Sequence, residues 1–232
     1  MLETITNLLS LGGPVVAILL ALSVFSVALV IVKLIQFHRE RVGSHARARE
    51  ALDAWMKRER ARAIGLAESH PSAVSEALAS AMRLASRLDV PRSVLEQEVA
   101  RTAQQRLHDQ QRGFRALDAI AQVAPLLGLF GTVLGMIEAF RQLQAAGNAV
   151  DPSLLAGGIW VALLTTAMGL AVAMPTQLVL TWLETRVENE RVAIETMASS
   201  VITDALTRGT AGEARAPAPQ QRTQPHGDVY AH

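Results

Sequence analysis

The sequence predicts an all-α membrane protein with three transmembrane helices, the second and third continuing as long cytoplasmic helices. Three observations carry this. Apolar runs of membrane-crossing length occur three times, at Pro14–Val32, Ala116–Ile137 and Pro152–Leu183, the second holding only Asp118 as a charged residue. The polar stretches between them are rich in Ala, Arg, Glu, Gln and Leu, which favour helix over strand. Charge is uneven, although the net formal charge of the 232 residues is only +1. That balance suggests no nucleic-acid partner, and cysteine is absent, which removes disulfides and thiolate metal sites.

The first span, residues 13–37, follows a short segment, 1–12, that lacks the basic start of a cleaved signal peptide. Its uncharged core ends at Lys33, expected to snorkel toward an interface. The second span, 116–138, is apolar apart from Asp118 and Gln122 near its start, and Arg115 and Glu138 bracket it. The third, 154–183, belongs to an uncharged run longer than a bilayer needs, so it should tilt or run on as a helix. Of the 22 Lys and Arg, most fall between His38 and Arg115, and the connection 139–153 holds only Arg141. Because basic residues are retained on the cytoplasmic side, the N-terminus is expected outside and the C-terminus inside.

The cytoplasmic part, 38–115, is helical by composition and broken at His70-Pro71, with a restart at Asp89-Val90-Pro91. No further breaker is evident before Pro125, so one helix is expected to run straight into the second span. Residues 184–208 continue the third span as a solvated helix carrying Glu184, Arg186, Glu188, Glu190, Arg191 and Glu195. The stretch 209–232, with Pro217, Pro219 and Pro225, reads as a disordered tail.

Small residues mark both later spans. Gly128, Thr132 and Gly135 share a helical face, and Gly131 with Gly135 forms a small-xxx-small pair. The third span answers with Gly158, Ala162, Thr165 or Thr166, Gly169 and Ala173. Pro125 and Pro175 lie inside the spans, where neighbouring protein must satisfy the backbone groups they free. Small faces of this kind associate helices in many membrane proteins, and a conduction role is the second reading. Hydroxyls relay protons but do not hold them at neutral pH, and Asp118, Glu138 and Glu184 all lie near span ends. Any proton conduction therefore needs a deep carboxylate from another chain. The six histidines, scattered through polar segments, are expected to be solvated. No phosphate loop, nucleophile elbow or metal-protease pattern is present, so no catalytic residue, metal or cofactor is expected and the chain does not read as an enzyme.

The second-span motif, Ala124 to Ile137, and the third-span motif, Gly158 to Pro175, resemble those of the ExbB/TolQ/MotA proton-channel family, ExbB above all. The four-span, larger-loop MotA branch is further away. The resemblance implies a subunit of a proton-driven motor in the bacterial inner membrane, with an extracytoplasmic (periplasmic) N-terminus. It implies a homo-oligomeric ring, a pentamer in this family, in the lipid bilayer. That ring surrounds an ExbD- or TolR-like single-span partner whose membrane aspartate takes up protons, and it drives a TonB- or TolA-like protein. It also implies that Thr132 and Thr166, with Thr165 beside them, line the proton pathway. Gly128, Gly131, Gly135, Gly158, Gly169, Pro125 and Pro175 fall to helix packing. At Val161 the family usually has a glutamate, so the titrating group is not expected in this span. Alternatives are a TolQ-like envelope-maintenance motor and a non-conducting scaffold whose cytoplasmic helices bind a partner.

Overall fold

A computed structural model describes residues 2–70, 72–87, 90–146 and 152–213. Every regular element among them is an α-helix: α1 (Leu2–Arg39), α2 (Ala46–Met56), α3 (Arg60–Glu68), α4 (Ala73–Ala85), α5 (Arg92–Gln111), α6 (Phe114–Ala146) and α7 (Pro152–Glu213). Three stretches are long and apolar enough to cross a membrane, Gly13–Arg39, Arg92–Ala145 and Leu155–Thr207, as the sequence predicts. The tail expectation falls on 214–232, outside the described residues, whereas residues 209–213 belong to α7.

Two backbone breaks divide the long helical runs, and glycine makes both. Gly13 adopts φ 62° and ψ −158°, a conformation open to residues without a Cβ, and Pro14 restarts the helix where its missing N–H is harmless. The second break corrects the expectation of one uninterrupted helix after Pro91. Arg112 is extended (φ −56°, ψ 127°) and Gly113 has φ 90°, so α5 stops and α6 begins three residues later.

Lys33 sits at that break. Instead of snorkelling it is buried, donating to the Gln36 side chain at 2.7 Å and to the Gln110 carbonyl at 3.0 Å, 5.6 Å from the Phe114 ring centre. The Gln110 carbonyl is among those a helix end leaves unpaired, and a cation there also meets the negative end of the α5 dipole. Phe37, Phe114, Leu117, Leu180 and Leu183 close an apolar cluster around this point, joining α1, α6 and α7.

Beyond the membrane, α2, α3 and α4 pack against the inner half of α7 through a core dominated by alanine: Ala48, Ala51, Ala63, Ala67, Ala77 and Ala81 are all fully buried. Small side chains let helices approach closely, and Trp55 and Met82 fill the remaining centre. Ser72 caps α4, its hydroxyl accepting from the Ser75 N–H at 3.2 Å. Arg106 of α5 pairs with Glu76 of α4 across the domain.

His38, His108, Glu184, Glu188, Arg191 and Glu195 are exposed as the sequence predicts, but burial corrects the expectation at His70 and at Glu190. Glu190 is wholly buried; its Oε1 accepts from the Gly43 N–H at 2.6 Å and lies 3.0 Å from His45 Nε2. The loop after α1 is thereby tied to α7. His70 is only 9% exposed, with Nε2 buried and unpartnered among the described residues. His226 and His232 lie outside the described residues.

Desolvation, then the Arg41 and Arg47 charges, hold the His70 imidazole below its ordinary value of 6.5. The folded domain therefore favours neutral His70, and its contribution to stability is complete above pH 6.5. As pH falls below that value the unfolded chain takes up the proton first, and the contribution shrinks. Thermal unfolding of the detergent-solubilised protein at pH 7.5 and 5.5 should show this loss, and His70→Leu should reduce it.

Candidate functional site between α6 and α7

The two antiparallel helices α6 and α7 meet along a seam of small residues. A Cβ added at Gly128 would lie 2.9 Å from the Thr165 carbonyl oxygen, and one at Gly131 would lie 2.6 Å from the Thr165 hydroxyl. One at Gly135 would meet Ala162 at 2.9 Å, and one at Gly158 would meet Ala139 at 2.5 Å. At Gly169 the obstacle is the Ala124 carbonyl oxygen, 2.5 Å away, with Gly128 Cα at 3.2 Å. The backbones thus come together where neither helix has side chains to separate them. Pro125 and Pro175 both remain inside continuous helices.

The contact stripe on α6 is Gly128, Gly131 and Gly135, so Thr132 falls beside the seam and not within it. Thr165 lies inside it. Its buried hydroxyl donates within α7 to the Ala162 carbonyl at 2.7 Å and faces the Gly128 carbonyl across the seam at 3.1 Å. Thr166 is the next residue round the helix. In an antiparallel pair, one position past the seam on each helix points to the same side, so Thr132 and Thr166 border one flank at about the same depth.

The opposite flank is covered by α1. Val15 and Leu19 pack on Ala124 and Ala173, with Leu127, Met168 and Val172 around them. Deeper in, the Ser26 and Thr176 hydroxyls meet at 2.7 Å beside Pro175. Among the described residues, the buried α1 side chains Val15 and Leu19 pack on that flank, away from Thr132 and Thr166.

Hydroxyls in these helices are otherwise satisfied by the preceding turn, the usual arrangement in an apolar medium. Thr132 donates to the Leu129 carbonyl at 2.6 Å, Thr176 to Val172 at 2.8 Å and Thr181 to Gln177 at 2.9 Å. Thr166 departs from this: its buried Oγ1 meets no hydrogen-bond partner among the described residues. An unsatisfied buried hydroxyl costs about 1–3 kcal/mol, which favours a turn of the side chain that exposes it to another acceptor.

Asp118 and Glu184 lie together with His108 along a cleft at the inner end of α6 and α7. Glu138 and Val161 line a different cavity, at the end near the α6–α7 connection. Between Asp118 and Glu138, and from Pro152 to Leu183, no ionisable side chain occurs. Among the described residues no group of three or more His, Asp or Glu is placed to hold a metal.

A family model for the MotA/TolQ/ExbB proton channel family matches residues 69–196, more than half the chain. The chain is similar to biopolymer transport protein exbB1 of Vibrio cholerae, 46% identical over 72 residues, 31% of this chain and 32% of that protein. It is similar to the Tol-Pal system protein TolQ of Haemophilus influenzae, 46% identical over 59 residues, 25% of each chain. A longer match, to biopolymer transport protein ExbB of Neisseria meningitidis, is 29% identical over 177 residues, 71% of this chain and 80% of that one. The chain thus spans about a third of the Vibrio protein's length.

The seam makes a sharp contrast between two glycines. Gly169→Ala should force the backbones apart and destabilise the helix pair by about 1–3 kcal/mol, the usual cost of overpacking. Gly157→Ala, with nothing within 4 Å of its Cβ, should leave stability unchanged. Melting of the solubilised protein, followed by circular dichroism, distinguishes the two.

Proposed function

Because the chain belongs to the MotA/TolQ/ExbB proton channel family, we propose that it is an ExbB-like, ring-forming subunit of an inner-membrane motor driven by the proton-motive force. In this reading it conducts protons with an ExbD-like single-span partner and energises TonB-dependent transport across the outer membrane. The observation that carries the proposal is the hydroxyl pair: Thr132 and Thr166 border the flank away from Val15 and Leu19 of α1, and Thr166 meets no acceptor among the described residues.

The chemistry divides between two chains. A proton carrier needs a group that gains and loses charge inside the membrane, and the spans of this chain hold none at depth. A carboxylate from the partner supplies it, and the Thr166 hydroxyl, turned out of its buried position, donates to that carboxylate when it is ionised. Each charge falling through 100 mV yields about 2.3 kcal/mol, enough for several protons to drive a rearrangement of packed helices. Slim helix faces keep that rearrangement from being blocked by interlocked side chains. Thr165 serves the same site by holding α6 and α7 together.

Sidedness follows from the basic residues concentrated between α1 and α6, which favour a cytoplasmic helical domain and an N-terminus outside. A second reading, a TolQ-like motor maintaining the envelope, is favoured by the TolQ match and uses the same site with a TolR- and TolA-like pair. Loss of energy-dependent uptake on deleting the gene supports the first reading; detergent sensitivity with normal uptake supports the second.

Thr166→Val, which keeps the shape and removes the hydroxyl, should lower energy-dependent uptake roughly tenfold or more, the effect of losing about 1.4 kcal/mol in the rate-limiting step. Thr132→Val should have a smaller effect in the same direction, and Thr166→Ser should restore activity. Unchanged uptake in both valine variants removes the hydroxyls from the mechanism.

A further inference from the structure

At the end of the bundle near the α6–α7 connection, a cavity of about 590 Å³ lies between the start of α1 and the flank of the seam that α1 covers. Gly13, Pro14 and Val15 form its α1 wall, and Gly131 to Gln142 and Ser153 to Thr165 supply the others. Five of its lining residues are glycines, among them Gly13, where α1 breaks. Among the described residues, Glu138 is its one ionisable lining residue. The Glu138 carboxylate accepts from Gln142 Nε2 at 3.2 Å and has Arg141 at 3.7 Å, with about half of its side chain exposed. The cavity narrows inward to Gly131 and Thr165, the threonine that bridges the seam to the side where Thr166 lies.

We propose that this cavity is the proton-uptake vestibule of the bundle, with Glu138 as its collecting carboxylate and Thr165 at its inner end. The inference rests on the motor reading and adds the intake to it. A proton from outer water joins the Glu138 carboxylate, passes to water in the cavity beyond and on to the partner's carboxylate, and leaves Glu138 ionised for the next. The Thr165 hydroxyl, already donating to a carbonyl, keeps lone pairs with which to accept from that space. Val161 in the same wall carries no proton, so among the described residues the intake falls to Glu138.

The test uses the full-length membrane complex, isolated through a tag on this chain and reconstituted into vesicles enclosing a pH-sensitive dye. With a proton gradient and potential imposed, Glu138→Gln should lower the rate of acidification tenfold or more and alter its dependence on outer pH. Glu138→Asp should restore the rate, and the size of the complex should be unchanged in both. A Glu138→Gln complex of normal size that conducts at the unsubstituted rate and with its pH profile overturns the vestibule while leaving the motor reading intact. An unsubstituted complex that conducts no protons overturns both.

Discussion

The backbone contact between α6 and α7 is the constraint on which the rest of the structure depends. Gly128 and Gly169 bring carbonyl oxygens and α-carbons to distances that no Cβ would permit, and Ala124, Ala139 and Ala162 continue the same seam. In a membrane no hydrophobic drive pulls helices together, so association must come from close packing and from hydrogen bonds across the contact. Both are present here, the second through Thr165 and the Gly128 carbonyl. Once the seam is set, α1 has one flank to cover, and the hydroxyls of Thr132 and Thr166 are left on the other.

The helical domain beyond the membrane is connected to this pair by buried polar groups as well as by alanine packing. Lys33 closes the end of α5 at the Arg112–Gly113 break, and Glu190 gathers the backbone of Gly43 and the ring of His45. Buried charges of this kind add little net stability when paired, but removing one partner is expensive because the other stays desolvated. They therefore fix the angle at which α1, α5 and α7 leave the membrane more than they strengthen the fold. A motor that rearranges its membrane helices can transmit the change to its cytoplasmic domain only if those joints are stiff.

Three spans and the helical nature of the described residues were legible in the sequence, because hydropathy and helix-forming composition are local properties. The seam was legible in part. Gly131 and Gly135 announced a small-residue pair, but a helix turn of 3.6 residues leaves neighbouring positions nearly equivalent, and Thr132 was grouped on the contact face that Gly131 occupies. The break at Gly113 carried only the signal of a lone glycine in a helical pattern, which many helices tolerate. The burial of Lys33, His70 and Glu190 had no local signal at all: each is enclosed by elements distant in sequence, as Glu190 is by the loop at Gly43. The missing hydrogen bond of Thr166 could likewise be seen only once α6 lay against it.

The chain contains no cysteine, so single reporters can be placed in it without background. The direct measurement is the reaction of a water-soluble thiosulfonate with Thr132→Cys in the full-length membrane complex, set against Val24→Cys on the outward face of α1, where the native valine is 72% exposed. The account predicts that the thiol at 132 is modified readily, since it borders a polar flank turned toward a shared axis, and that the thiol at 24 is shielded by lipid. Rapid reaction at 24 with none at 132 would place the hydroxyl flank against lipid and contradict it.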